Sequence, residues 1–248
     1  KWKGTVSWDP PTALNREKFM QERSTTRTKI AGLSLLLLAV AAMSGIPARS
    51  FAADSNSADA IVDRLQKSYD GTQDFVADFR QETEVKTLNR TLKSSGKVSF
   101  KRPGKMLWQY DEPKGQFVLA DGKFLYFYQP EQNQVIKSPL KNAFRGDIPL
   151  SFLLGLGNLK KEFNAALKST EETSHILRLE PKGESGGFGE ILLAVNKSNS
   201  DIQWVSIRDA SANLTTIRFS GLRKGVGVND SLFQPQIPKG ADIVELGQ

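Results

Sequence analysis

Arg102 is the side chain in this sequence whose placement most needs a chemical reason. In Gly96–Tyr110, GKVSFKRPGKMLWQY, an extended chain alternates its side chains between two faces. Val98, Phe100 and Arg102 then share one face, Lys97, Ser99 and Lys101 share the other, and Pro103 stops the strand. A guanidinium has five donors and a permanent charge, which are costly in apolar surroundings unless something accepts them. Arg102 therefore either bends out to the rim or holds something in place. Other chemistry is thin. His175 is the only histidine and opens a strand candidate with no acid or serine patterned around it, so it reads as a surface or strand-edge residue. Asp111-Glu112 and Glu171-Glu172 are paired acids in turn-like contexts, where solvated charge is the expectation. There is no Gly-rich phosphate loop, no GxSxG elbow and no metal-ligand spacing. The expectation is no enzyme, no cofactor and no metal.

The elements that must position Arg102 follow from periodicity. Ser57–Asp70 reads as one helix, with Ser57 as its cap, Ile61, Val62, Leu65 and Tyr69 at helical spacing, and Gly71 to end it. In Asp74–Val85 the period becomes two, and Phe75, Ala77, Phe79, Gln81, Thr83 and Val85 share a mostly dry face. Val98–Arg102, Lys105–Tyr110, Phe117–Ala120, Lys123–Tyr128 and Gln134–Lys137 are further strands, with a hairpin signal at Asp121-Gly122. Short connections make these neighbours antiparallel. Strands resume at His175–Glu180, Glu190–Asn196, Ile202–Arg208 and Asn213–Ser220, and the tail Phe233–Leu246 ends in a brief apolar ADIVEL. About ten strands with two or three helices point to an α+β domain, a large antiparallel sheet curled around helices.

Ile148–Phe163 breaks the rhythm. Pro149 suits a first helical turn, and Leu150, Phe152, Leu153, Leu154 and Leu156 leave almost no polar face. Such a helix is either an ordinary core element or one that moves onto an apolar surface. Phe79, Phe100, Met106, Trp108, Phe117, Phe124, Phe127 and Phe152 add many large side chains for one sheet. They fit a conventional core, or a concave apolar face under a removable lid, which is how a cavity for an apolar ligand is made.

The N-terminal region reads as targeting sequence rather than fold. Met20–Lys29 is positively charged, Ile30–Met43 is a 14-residue apolar run, and Ser50-Phe51-Ala52 offers small residues for cleavage after Ala52. Residues 20–52 are expected to be a secretory signal peptide, residues 1–19 an unfolded upstream extension, and 53–248 the mature domain. The apolar run falls short of the about 20 residues a membrane span needs. Residues 1–52 hold eight of the 34 basic and three of the 27 acidic residues, leaving 26 and 24 in the remainder, a formal +2. A chain so balanced gives no reason to expect a nucleic-acid partner, which needs clustered cations. With no cysteine, packing rather than disulfides must hold the fold, and the chain bears no cysteine-linked lipid of its own.

Five stretches, in this order and behind such a leader, resemble the LolA family of periplasmic lipoprotein carriers. They are FVADFRQ (Phe75–Gln81), GKVSFKRPGKMLWQY (Gly96–Tyr110), LADGKFLYFYQPEQNQV (Leu119–Val135), RGDIPLSFLLG (Arg145–Gly155) and FQPQIPKGADIVEL (Phe233–Leu246). The resemblance implies an incomplete, unclosed antiparallel β-barrel with a helical lid enclosing an apolar cavity for acyl chains. It implies a monomer in the periplasm that takes lipoprotein cargo from an ATP-driven inner-membrane transporter and passes it to an outer-membrane acceptor. The family's latch arginine, which precedes a proline, falls on Arg102-Pro103, and its hydrogen bonds would go to carbonyls of the lid helix. Phe79, Val98, Phe100, Met106 and Trp108 fall in the cavity, with Met106 at its mouth, and Pro149–Leu156 falls on the lid. The same scaffold serving a periplasmic lipid shuttle or a lipoprotein-sensing module is the alternative.

Overall fold

A computed structural model describes residues 55–143, 158–182 and 188–246. The expected leader, the lid candidate Leu150, Phe152, Leu153, Leu154 and Leu156, and most of the fourth family-like stretch lie outside the described residues.

Helix α1 spans Ala58–Asp70. The Ser57 hydroxyl accepts the Ala60 N–H at 3.2 Å, Asp59 lies in the first turn and Lys67 in the last, each placed to favour the helix dipole. Ile61, Val62 and Leu65 form its buried stripe. Burial of each large aliphatic side chain contributes about 1.5–3 kcal/mol.

Twelve strands follow: β1 Asp74–Val85, β2 Arg90–Lys101, β3 Lys105–Glu112, β4 Phe117–Asp121, β5 Phe124–Gln129, β6 Gln134–Pro139, β7 Phe163–Thr170, β8 Ser174–Pro181, β9 Phe188–Asn196, β10 Ile202–Asp209, β11 Leu214–Lys224 and β12 Asp242–Glu245. They make one sheet in the order β12-β6-β5-β4-β3-β2-β1-β11-β10-β9-β8-β7. Among the described residues the two end strands do not pair with each other, so the barrel is unclosed. All neighbours are antiparallel except β12, which runs parallel to β6. Two short helices, α2 (Leu140–Ala143) and α3 (Leu159–Glu162), stand on either side of 144–157.

The strand expectations are corrected in three places. β7 was not foreseen, because most of it is exposed and its alternation is interrupted by a register shift between Leu167 and Ser169. The apolar tail ADIVEL is strand β12, exposed throughout. β2 begins at Arg90 and ends at Lys101, so Arg102 stands just beyond the strand rather than in it.

The apolar side chains divide between two cores. On one face of the sheet, α1 packs over Phe79, Val98, Met106 and Trp108, joined by Leu140 of α2 and Leu159 of α3. On the other, Leu107, Leu119, Tyr126 and Tyr128 meet Val228 and Phe233 from the chain after β11. Phe117 and Phe124 belong to this second cluster, which corrects their placement in the concave set. They are out of phase with Trp108, and the C-terminal chain covers them.

Candidate functional site

Arg102 is fixed by the end of α1. Its main-chain N–H donates to Gln73 O at 2.8 Å, which sets the side chain facing the helix. Nε then donates to Thr72 O at 3.0 Å and Nη2 to Tyr69 O at 2.8 Å, while the Asp70 carboxylate lies 3.5 Å from Nη2. The last carbonyls of a helix lack internal partners and carry partial negative charge, so a cation at this end both satisfies and stabilises them. The guanidinium is 26% exposed, so it neither bends out into solvent nor is sealed in. Among the described residues its acceptors are on and just beyond α1. The lid-helix carbonyls expected as acceptors lie outside the described residues.

Beneath this clasp is an aromatic group. Tyr69 packs 6.5 Å from Phe75 and 6.3 Å from Phe100, and those two rings stack at 5.1 Å. Burial pushes the Tyr69 phenol well above its ordinary pKa, against the opposing Arg102 charge. A cavity of about 40 Å³ adjoins these rings, walled by Tyr69, Phe75, Val98, Phe100, Trp108 and Phe219. The hollow is narrow in this conformation.

Of the five expected cavity residues, Val98, Phe100 and Trp108 line this hollow. Phe79 lies behind them, with its ring 4.7 Å from Trp108 and 5.1 Å from Tyr110. Met106 is fully buried, and its Sδ accepts the Trp108 Nε1–H at 2.8 Å, which places it under Trp108 rather than at a mouth. Pro103 is exposed in the turn between β2 and β3. Tyr69, Phe75 and Phe219 were readable as apolar-phase residues of their elements, yet only the fold brings them to one wall.

His175 is buried, not at the surface as expected. It lies 5% exposed in β8, with Nδ1 3.2 Å from Thr170 Oγ1. Burial lowers its pKa, and Lys197 and Arg64 lower it further. The neutral ring is the form that packs, and its hydrogen-bond partner is a hydroxyl rather than a carboxylate that would make it a base. Asp111 and Glu112 are exposed at the end of β3 rather than in a turn. No group of three or more acidic or imidazole side chains able to hold a metal occurs among the described residues.

A family model described as the outer membrane lipoprotein carrier protein LolA matches residues 70–236. The chain belongs to this family. It is 33% identical over 190 residues to the outer-membrane lipoprotein carrier protein of Cupriavidus pinatubonensis, covering 75% of this chain and 88% of that one. It is 32% identical over 199 residues to the carrier protein of Cupriavidus taiwanensis, covering 79% and 92%. The crystal structure of an uncharacterized conserved protein from Thermus thermophilus superposes with a TM-score of 0.51 at 13% identity, covering 76% of this chain and 99% of that one. That likeness concerns the fold alone. LolA-family membership agrees with an open antiparallel sheet carrying few helices.

Proposed function

We propose that this LolA-family chain is a periplasmic carrier that shields lipoprotein acyl chains between an ATP-driven inner-membrane transporter and an outer-membrane acceptor. The observation that carries the reading is the Arg102 clasp on α1 above an aromatic-walled apolar hollow. Removing acyl chains from water gains roughly 0.8 kcal/mol per CH₂, so cargo with several chains cannot cross an aqueous space unshielded. In this reading the narrow hollow widens to receive a chain, with α1 and the segment between α2 and α3 acting as its cover. Support for a cover hinged there comes from its flanks: Leu140 and Leu159 sit in the same core as α1. The Leu159 N–H donates to Gln66 Oε1 at 3.0 Å, and Lys160 pairs with Asp63 at 2.6 Å. Arg102 and Pro103 act as the latch, and Leu150, Phe152, Leu153, Leu154 and Leu156 as the lid's apolar face. Val98, Phe100 and Trp108 form the wall the chains meet, and Phe79 and Met106 back it. The monomer acts by binding, without catalysis.

Mass spectrometry of what co-purifies with the protein from the periplasm tests the reading. Triacylated polypeptides are expected. Free phospholipid alone would contradict it and favour a lipid shuttle on the same scaffold.

A further inference from the structure

The apolar hollow does not end at a neutral surface. It adjoins an open cleft of about 650 Å³, and the two share Ser68, Thr72, Ser200 and Lys224. The inner space is walled mainly by aromatic and aliphatic side chains, with the Asp201–Lys224 pair among its lining. The outer one is lined by Arg64, Lys67 and Lys224, and no carboxylate is among its described lining residues. Three carboxylates on α1 and before β10 are already engaged: Asp63 with Lys160, Asp70 with Arg102, and Asp201 with Lys224. Lys224 also donates to Ser68 Oγ at 2.9 Å, so it straps α1 to the turn before β10 at the boundary between the two spaces. Arg64 reaches only a neutral acceptor, the Ser55 carbonyl at 2.5 Å. Neither Arg64 nor Lys67 has an ion pair among the described residues. They stand three residues apart on α1, the spacing that puts two side chains on one helix face.

A greasy space opening directly onto an unneutralised cationic one suits an amphiphile with an anion next to its acyl chains. A lipoprotein whose chains enter the hollow across this boundary leads its polypeptide out beside the cleft. We propose that the Arg64–Lys67 cleft receives acidic residues following the acylated end of the cargo, so that the carrier prefers lipoproteins with acidic linkers. This deepens the carrier reading and rests on it. Exposed charges steer and select weakly and are screened by salt, which fits a carrier that must release what it holds.

The test uses triacylated lipopeptides with identical chains and linkers of oligo-Glu, oligo-Ser or oligo-Lys, each displacing an apolar fluorophore from the full mature chain. At low salt the oligo-Glu form is expected to bind roughly fivefold tighter than the oligo-Lys form, the scale of two exposed ion pairs. In the double variant Arg64→Gln, Lys67→Gln the preference should fall to near parity, while oligo-Ser affinity stays unchanged. Equal affinities in the wild type, or a preference that survives the double variant, overturn the cleft assignment and leave the carrier reading standing. Failure of every lipopeptide to bind overturns both. A dependence on Arg64 and Lys67 seen with lysophosphatidylglycerol but not with oligo-Glu lipopeptide assigns the cleft to a lipid headgroup and overturns the linker proposal.

Discussion

The Arg102 guanidinium reaches across from the end of β2 to the main-chain oxygen of Tyr69, 2.8 Å from Nη2, thirty-three residues earlier in the chain. With Thr72 O on Nε, one side chain engages two oxygens at the helix end, of which Tyr69 O also accepts the Thr72 N–H. It also neutralises part of the helix dipole there. Hydrogen bonds to a charged group are worth about 1.5–3 kcal/mol, enough to bias the proposed cover between closed and open but not to lock it. A cargo opens it only by interacting better with the open state than with the closed one.

Arg102→Lys keeps the charge and loses the fork, since one ammonium cannot copy the two-pronged geometry. The fold should remain, and the end of α1 should open more often. Hydrogen exchange at the amides of Gly71 and Thr72, which bond to Lys67 O and Tyr69 O, is expected to speed up by about tenfold, the effect of 1–2 kcal/mol. Unchanged exchange there would show that the clasp contributes nothing to holding the helix.

Asp74 is buried, and its carboxylate accepts the N–H groups of Val226, Gly227 and Val228 at 2.7–3.3 Å. It therefore fastens the chain leaving β11 to the start of β1, next to the Arg102 clasp. Asp74→Ala strands these donors and should cost about 1–3 kcal/mol in denaturant unfolding. Loss of amide protection at Val226–Val228 should accompany it.

His175 gives a pH dependence whose sign is fixed by its burial. Its folded pKa lies below the ordinary 6.5, so below that pH the unfolded chain takes up the proton more readily. Its contribution to stability is full above about 6.5 and declines as pH falls through the folded pKa. Unfolding free energy should rise with pH up to this range and then flatten, and His175→Asn should reduce the slope. The Asp230 carboxylate is held down to about 2, first by the Lys105 hydrogen bond and then by Lys101. Its contribution should therefore disappear only between about pH 4 and 2, well separated from the histidine.

Gly96 sits where β2 crosses the backbone of β3, opposite Phe79 and Tyr110. A Cβ there would lie 2.0 Å from the Gln109 carbonyl oxygen. Gly96→Ala must push the strands apart and is expected to destabilise by about 1–3 kcal/mol or more, read from the shift in the denaturant midpoint.

Much of the frame was legible in residue order. The period change after Gly71 placed α1 and β1 because each buries one face against the same core, Ile61 and Leu65 from the helix, Ala77 and Phe79 from the strand. The cost of an apolar-phase guanidinium showed that Arg102 needed acceptors. It could not show which ones, because Tyr69 and Thr72 accept through backbone oxygens that leave no trace in residue type. β12 escaped notice because four exposed residues carry no usable period, and its partner β6 runs parallel to it. The second core was hidden for a similar reason. Phe117 and Phe124 look like concave-face residues until Val228 and Phe233 arrive from the C-terminal chain to cover the opposite face. The Lys224 strap to Ser68 joins residues 156 positions apart, and only the fold brings them together.

In the proposed cycle Arg102 holds the cover closed and thereby drives release. The most direct measurement is the rate at which a fluorescent triacylated lipopeptide passes from loaded protein to an acceptor, compared between the wild type and Arg102→Leu. Without the clasp, the closed empty state loses its advantage over the open loaded one. Arg102→Leu is expected to load at least as much lipopeptide and to hand it on several-fold more slowly, by roughly tenfold for each 1.4 kcal/mol of clasp energy lost. Transfer at the wild-type rate from a normally folded Arg102→Leu protein would contradict it.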